Sequence, residues 1–276
     1  MSTPTLTLPG KAAVRSKTMS TPTITLIGGP TALIEIDGFR LLTDPTFDAP
    51  GHYQLPHTTL VKTAGPALDA AAIGPVDAVL LSHDQHADNL DTSGRAFLAR
   101  APRVLTTVAG ARRLGGNAEG FAPWDETVLA RDGRTLRITA TPARHGPAGI
   151  EPFSGDVIGF VITPPGDATR PIYVTGDTVW YDGVAEVARR FPAGVVLLFA
   201  GAAQTRGPFH LTMDTNDAIE AAHTFADATI VPVHHDGWAH FTQHRDELEK
   251  SFAALGIGNR LQWLEPGVAT AIAPPQ

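Results

Sequence analysis

The chain has 276 residues, 43% of them hydrophobic, which is enough for one large α/β domain or two small ones, and we expect one. Its formal net charge of -7 argues against a nucleic-acid-binding surface, because such surfaces carry clustered Lys and Arg. The sequence contains no cysteine, which excludes disulfide bonds, thiolate metal sites and a cysteine nucleophile. Any metal ligand must therefore be a nitrogen or oxygen atom.

The N-terminal region contains two similar segments, "MSTPTLTLPG" from residue 1 and "MSTPTITLIGG" from residue 19. The Thr, Pro, Gly and Lys content of residues 1–18 does not favour a packed element, so we predict a disordered leader there and a single domain over residues 19–276. No apolar stretch approaches the roughly 18 residues that a membrane helix needs. We therefore expect no membrane span and a cytoplasmic location.

The first half of the domain predicts short strands separated by Gly, Pro and Asp turns. The segments "TITLIGG" and "TALIEIDG" predict a hairpin or meander, and "FRLLTDP" predicts a strand that ends at Asp44. The segment "VDAVLLSH" is almost continuously apolar, which indicates a strand buried on both faces, as in a parallel sheet. A helix at "GRAFLAR", a strand at "PRVLTT" and a short helix at "VAGARRLG" follow.

The second half predicts five further strands and three helices. The strands are expected at "TLRITATPA", "DVIGFVITPP", "PIYVTGD", "GVVLLFAG" and "ATIVPVHH". The helices are expected at "GVAEVARRF", "TNDAIEAAHTFA" and "HRDELEKSFAAL". This order suits a core of two sheets with helices on the outside.

Histidines and aspartates stand at the downstream ends of five predicted strands, namely Asp44, His83, His145, Asp177 and His234. Functional groups collect at the carboxyl ends of strands, because the sheet holds the backbone while the following loops turn side chains inward. We therefore expect these five segments to converge on one rim of the fold.

This donor set is typical of a catalytic metal site. Imidazole and carboxylate ligands suit zinc, iron or manganese, whereas a closed structural zinc site usually includes cysteine. When two metal ions lie roughly 3.5 to 4 Å apart, one carboxylate can bridge them, and Asp177 is our candidate for the bridge. From the residues alone, "LLSHDQHADNLD" can also be a polar turn after a buried strand.

The segment "SHDQHADNLD" resembles the metal-binding loop of the metallo-β-lactamase fold superfamily, written His-x-His-x-Asp-His after a buried strand. The later His145, Asp177 and His234 follow the order of that superfamily's remaining metal motifs. The segments "TDP", "LSHD" and "NLD" resemble the branch that contains ascorbate-phosphate lactonase and the phospholipase D that cleaves N-acyl phosphatidylethanolamines. The resemblance covers about Thr23 to Ile272, and it implies an α/β fold, a four-layer αββα sandwich, with hydrolytic metal chemistry at one sheet edge.

The loop departs from the superfamily motif by one position. Counted forward from His83, the second motif histidine is replaced by Gln85, whereas counted back from "NLD", His86 and Asp88 fit. We favour one inserted residue. The metal ligands implied by the resemblance are then His83, His86, Asp88, His145, Asp177 and His234.

One motif position remains unfilled, because Asn89 stands where the last motif histidine is expected. A neutral amide is a weaker ligand than imidazole, so the second metal is expected to bind loosely, to recruit another ligand or to be absent. Asp84, His235 and Asp236 are candidate replacements. The expected cofactor is zinc, as one or two ions, with manganese and iron as alternatives.

The predicted function is a metal-dependent hydrolase that uses a metal-activated water on an ester, lactone or phosphodiester, with Asp88 orienting or deprotonating that water. One alternative is a binding protein with a degenerate site, weak or single metal binding and no hydrolysis. Another is iron-dependent oxygen chemistry on the same fold. We expect a small-molecule substrate and no nucleic-acid partner, and the sequence does not address the oligomeric state.

Four further side chains receive weaker assignments. Asp44 is predicted to orient a ligand imidazole rather than to bind metal. His235 is assigned to packing, to supporting a metal ligand or to substrate contact, because adjacent strand residues point to opposite faces. His210 is a candidate substrate or phosphate contact, with an exposed loop residue as the equal alternative, and His240 is predicted to lie on the surface.

Overall fold

A computed structural model describes residues 21–55, 58–166 and 169–273 of the chain. The leader predicted over residues 1–18 lies outside the described residues, and the domain boundaries stay predictions. Within the described ranges, no helix has both the length and the apolar character that crossing a membrane requires. The cytoplasmic location stays a prediction.

The first half of the described chain contains eight strands and two helices. They are β1 (Thr23–Gly28), β2 (Thr31–Ile36), β3 (Phe39–Thr43), β4 (Gly51–Gln54), β5 (Thr59–Lys62), β6 (Ala78–Leu80), α1 (Thr92–Leu98), β7 (Val104–Thr107), α2 (Val108–Leu114) and β8 (Ala118–Phe121).

The second half contains seven strands and four helices. They are β9 (Glu126–Arg131), β10 (Arg134–Pro142), α3 (Glu151–Ser154), β11 (Ile158–Thr163), β12 (Ile172–Val174), α4 (Asp182–Arg190), β13 (Val195–Phe199), α5 (Thr215–Thr224), β14 (Thr229–Val233), α6 (Arg245–Ala254) and β15 (Thr270–Ala271).

The strands form two large sheets and one small hairpin. The first sheet has seven strands in the order β15-β1-β2-β3-β6-β7-β8, and the second has six in the order β14-β13-β12-β11-β10-β9. Strands β3, β6, β7 and β8 run parallel to one another, as do β12, β13 and β14. The remaining hairpin consists of β4 and β5.

The two large sheets pack face to face around a central core. Strand β13 shows why its sequence is continuously apolar: Val195, Leu197 and Phe199 face the other sheet, while Val196 and Leu198 face the outer helices. A strand covered on both faces needs an apolar residue at every position, because successive side chains point to opposite sides.

Helices cover the outer face of each sheet. The second sheet packs against α4, α5 and α6 through buried residues such as Val187, Ala218 and Phe252. The first sheet packs against α1 through Phe97 and Leu98. These layers confirm the predicted αββα sandwich.

One buried ion pair joins three segments near the end of the first sheet. The Asp91 side chain is 0% exposed, and its Oδ2 lies 2.9 Å from Nζ of Lys62 on β5. The same carboxylate accepts backbone N–H bonds from Phe47 and Asp48, and it caps α1 by accepting from Gly94. Asp91 therefore fixes the loop that follows β3, strand β5 and helix α1 to one another.

Replacing Asp91 with Asn should destabilise the protein by about 3 to 5 kcal/mol, because the buried Lys62 ammonium loses its counter-ion. Urea unfolding of the wild type and the variant measures this difference. The matched control is Glu249→Gln, which removes a carboxylate from the exposed pair with Arg245 and should cost less than about 1 kcal/mol. Equal costs for the two variants would contradict this interpretation.

Candidate metal centre

The six side chains predicted as metal ligands lie in one buried cluster at the carboxyl edges of both sheets. Two of them, His83 and His86, follow β6, and Asp88 lies between these histidines and α1. The other three follow β10, β12 and β14 and are His145, Asp177 and His234. Because these strands belong to different sheets, the cluster forms where the edges of the two sheets meet.

A first group of donor atoms comes from His83, His86, His145 and Asp177, with all four ligand atoms within 4.8 Å of one another. Nδ1 of His86 lies 2.9 Å from Nε2 of His83 and 3.2 Å from Nε2 of His145. Oδ2 of Asp177 lies 3.6 Å from Nε2 of His145 and 4.0 Å from Nε2 of His83. Three imidazoles and one carboxylate thus face a common point.

Hydrogen bonds on the far side of two rings determine which nitrogens face that point as acceptors. The Ser82 hydroxyl lies 2.8 Å from Oδ1 of Asp44 and 2.9 Å from Nδ1 of His83. A hydroxyl has one proton, so when it donates to the carboxylate the Nδ1–H of His83 donates to the hydroxyl. Nε2 of neutral His83 then presents a lone pair to the cluster. Asp44 therefore sets the tautomer of His83 through the Ser82 hydroxyl.

His145 is oriented in a similar way by the backbone. Its Nδ1 lies 2.8 Å from the carbonyl oxygen of Leu211, which can only accept, so Nδ1 carries the proton. Nε2 of neutral His145 therefore also presents a lone pair to the first group. The sequence did not predict that Ser82 and Leu211 orient these rings. A serine hydroxyl and a backbone carbonyl form such hydrogen bonds without any sequence motif that marks them.

A second group comprises Asp88, Asp177 and His234, again with ligand atoms within 4.8 Å of one another. Nε2 of His234 lies 3.4 Å from Oδ1 of Asp177 and 3.7 Å from Oδ2 of Asp88. Both ring nitrogens of His234 and Oδ1 of Asp88 are buried without a hydrogen-bond partner. Asp177 belongs to both groups, with one oxygen facing each.

A metal ion fits the donor atoms of the first group. Two ligands of a tetrahedral zinc ion, each about 2.0 to 2.1 Å from the metal, lie about 3.3 Å apart. The separations of 2.9 and 3.2 Å between imidazole nitrogens and of 3.6 Å to the carboxylate are close to that spacing. Without a cation, converging lone pairs of this kind would repel one another, so the donor set is suited to positive charge.

The titration behaviour of the cluster also suits metal binding. Burial lowers the pKa of His83 well below its usual value, and burial together with His145 lowers the pKa of His86 to about 4. Burial alone would raise the pKa of Asp88, but the hydrogen bond from His240 and the charge of His234 hold it below its usual value. Near neutral pH His83 and His86 are therefore neutral and Asp88 is ionised, the forms that bind metals.

His240 is the main residue whose position the sequence did not predict. The prediction of a surface residue is wrong: its side chain is 9% exposed, and Nε2 lies 2.9 Å from Oδ2 of Asp88. The residue follows β14 by seven positions, in the same loop as His234 and His235. Nothing in the spacing of these histidines indicates which of them turns back toward the cluster.

The candidate replacements for the missing motif histidine lie outside both groups. Asp84 forms a bidentate ion pair with Arg113, at 2.5 to 3.1 Å. The ring of His235 packs against Trp263, and Asp236 is exposed. Asn89 itself points into the cluster, where Nδ2 lies 3.3 Å from Oδ1 of Asp177 and Oδ1 has no hydrogen-bond partner.

The positions of the loop residues support the inserted-residue interpretation. His83 and His86 both contribute to the first group, while the two residues between them turn away from it. The amide of Gln85 lies against Gly155, where no room remains for a Cβ atom. His210, a candidate substrate contact, instead places Nδ1 2.9 Å from Oδ2 of Asp214.

The backbone of His234 adopts a left-handed conformation, with a φ of 56°. Such values are uncommon for residues other than glycine, and they concentrate at functional sites. The backbone N–H of His234 donates to the carbonyl of Gly29 at 2.9 Å, which helps to hold the turn. The turn directs His234 into the cluster and the next residue, His235, away from it.

A cavity of about 390 Å³ opens above the cluster. His86, Asp88, His145 and His240 form its floor. Its walls come from the β4–β5 hairpin, α3 and the loop between β13 and α5, and they are largely apolar, with Leu55, Leu60, Phe153, Ala203 and Leu211 among the lining residues. A small molecule in this cavity would lie directly against the donor atoms.

The chain is similar to several proteins of known family. Residues 39–235, more than half of the chain, match the family described as Beta-lactamase superfamily domain. UPF0173 protein YddR of Bacillus subtilis is 26% identical over 255 residues, which cover 88% of this chain and 97% of that protein. A UPF0173 metal-dependent hydrolase of Ignicoccus hospitalis is 25% identical over 256 residues, which cover 90% of this chain and 97% of that protein.

Solved structures show the same fold. The isothiocyanate hydrolase from Delia radicum gut bacteria superposes with a TM-score of 0.76 at 24% identity, over 91% of this chain and 99% of that structure. The family match, the relatives and the fold agree with the resemblance first seen in the loop after β6. The chain therefore belongs to the metallo-β-lactamase superfamily, and it is an enzyme of the metal-dependent hydrolase type.

Proposed function

We propose that this hydrolase binds zinc at two adjacent positions and hydrolyses a small ester, lactone or phosphodiester. The proposal rests on one observation: Asp177 belongs to both donor groups, and these groups lie beneath a cavity of small-molecule size. His83, His86 and His145 would hold one ion, Asp88 and His234 the other, and Asp177 would contact both. Nitrogen and oxygen donors of this kind suit zinc, although iron and manganese accept them as well.

A zinc ion in such a site polarises a carbonyl or phosphoryl oxygen and makes a bound water acidic enough to react near neutral pH. Asp88 would orient that water and accept its proton. Its Oδ2 is held by His240, while its Oδ1 has no hydrogen-bond partner. A substrate bound between the apolar walls would displace water from the cavity floor, which would strengthen the electrostatic interactions there.

The replacement of the last motif histidine by Asn89 favours one alternative, a binding protein with a single tight metal and no hydrolysis. The second group has only one imidazole, from His234, so it should bind metal more weakly than the first. Metal content and activity together separate the two functions. Elemental analysis of the same samples also distinguishes zinc hydrolysis from iron-dependent oxygen chemistry.

Removing the metal with a chelator should abolish hydrolysis of lactone and ester test substrates, and adding zinc should restore it. His83→Ala should lose metal from the first group together with activity, because it deletes one of three imidazole ligands. The control His223→Ala removes an exposed histidine of α5 and should keep both the bound metal and the activity. Metal analysis by mass spectrometry, combined with initial rates, measures these effects. Full activity in metal-free protein would refute the proposed function.

His240→Ala should lower kcat by about 10- to 100-fold, because Asp88 loses the partner that holds its Oδ2. Metal in the first group should be unchanged, since His240 lies outside that group. His240→Gln, which keeps a hydrogen-bond donor, should recover part of the rate. A variant that loses first-group metal in proportion to its activity would argue that His240 is needed for the fold of the site instead.

The lowered pKa of His86 predicts a pH-dependent contribution to the stability of metal-free protein. The folded state takes up this proton near pH 4, whereas the unfolded chain takes it up near the ordinary value of 6.5. Between these values the unfolded chain binds more protons, so the contribution is fully present above pH 6.5 and is lost as the pH falls toward 4.

The comparison of wild type with His86→Asn isolates this contribution. Burial raises the pKa of Asp44, and Asp177 raises the pKa of His234 against the effect of burial. The pH dependence of the wild-type unfolding free energy therefore also contains contributions of opposite sign, which the comparison with the variant removes. Between pH 7 and 4 the unfolding free energy of metal-free wild type should fall by about 3 kcal/mol more than that of the variant. Urea titrations at each pH measure the difference. Parallel profiles would contradict the prediction.

A further inference from the structure

An exposed arginine beside the cavity above the candidate metal centre carries a positive charge that the proposed chemistry does not use. Arg206, in the loop between β13 and α5, is the one Lys or Arg among the described residues that line the cavity. Its remaining lining is apolar or belongs to the cluster, apart from Gln85, Ser154 and the two threonines Thr58 and Thr205. An exposed guanidinium at the edge of a largely apolar cavity can bind an anionic group of a ligand in that cavity.

The contacts of Arg206 leave its charge uncompensated. In the described part of the chain no carboxylate lies within ion-pair distance of Arg206. Its contacts are with Phe153: the guanidinium carbon lies 5.9 Å from the ring centroid, and Nη2 lies 3.4 Å from the backbone oxygen. A hydrogen bond of that length is weak, so the guanidinium can move onto a ligand at little cost.

Arg206 lines the same cavity as the donor atoms, with the guanidinium on one wall and His86, Asp88 and His145 at the floor. The guanidinium and the donor atoms therefore act on the same space from different sides. A molecule bound there can place its reacting group over Asp88 and a second, anionic group against Arg206.

The volume of the cavity limits the size of that molecule. Small-molecule sites range from about 300 to 1,000 Å³, so a cavity of about 390 Å³ accepts a compact small molecule. A phospholipid or a polymer would not fit inside. A short acyl chain with one charged end would fit, with its chain against Leu60, Phe153 and Leu211.

We propose that the substrate of this site is a small amphipathic monoanion, an ester or lactone with its own carboxylate or phosphate, and that Arg206 binds this anionic group. The inference rests on the proposed hydrolase function and adds the substrate class to it. Arg206 is then a specificity residue: it acts on the distal end of the substrate, away from the bond that is cleaved.

The test compares two 4-nitrophenyl esters of similar size with the zinc-loaded enzyme. One carries a free carboxylate, 4-nitrophenyl hemiglutarate, and the other is neutral, 4-nitrophenyl pentanoate. The wild type should prefer the anionic ester in kcat/KM by about tenfold or more, and Arg206→Ala should lose most of that preference, with Arg206→Lys between them. The control Arg112→Ala removes the same charge from the exposed end of α2 and should keep the wild-type preference.

A binding measurement separates this inference from the proposed function. Calorimetry with the zinc-loaded protein compares glutarate, which has two carboxylates, with butyrate, which has one. Arg206→Ala should weaken glutarate binding about tenfold relative to butyrate binding. If neither ester is hydrolysed but this selective loss is seen, the hydrolase proposal fails while the role of Arg206 stands. An unchanged ester preference and an unchanged binding ratio in Arg206→Ala would overturn the inference.

Discussion

The carboxylate of Asp177 is the constraint on which the arrangement of the site depends. Its two oxygens face different donor groups, Oδ2 toward His145 at 3.6 Å and Oδ1 toward His234 at 3.4 Å. Strand β12 can bring it there because Gly176 precedes it with a φ of 62° and lies so close to Ser82 and Ile158 that a Cβ atom would contact both. A buried negative charge is costly by itself, so surrounding imidazoles and a cation are needed to stabilise it.

The parts of the structure that follow from local pattern were predictable. Apolar runs such as "GVVLLFAG" predicted the central strands, and the polar residues after them predicted which side chains would meet, because strand direction sets where each run ends. Elements with a weak pattern were missed. Strand β9, at a sheet edge, is largely exposed and has no apolar repeat, and the short α3 follows a Gly- and Pro-containing loop. The β4–β5 hairpin, which forms one wall of the cavity, was missed as well.

The details of the site that could not be predicted are set by tertiary contacts. His235 and His240 stand in one loop, and only the packed fold shows that His240 reaches Asp88 while His235 packs on Trp263. The inserted residue in the loop after β6 is accommodated for a similar reason. Asp84 turns outward to Arg113 and Gln85 toward Gly155, so the chain takes up the extra length without displacing His86 from the first group. Neither partner is close to the loop in sequence.

The donor atoms and the walls of the cavity have different structural origins. His83, Asp177 and His234 emerge at or near the ends of strands that both sheets hold rigidly, whereas Phe153 and Arg206 come from a short helix and a connecting loop. Natural variation in those connections can therefore alter what the enzyme accepts while its reactive centre is inherited intact. Homologues with nearly superposable interiors would then differ in substrate before they differ in reaction type. Sequence identity outside the connections would be a poor guide to their metabolic roles.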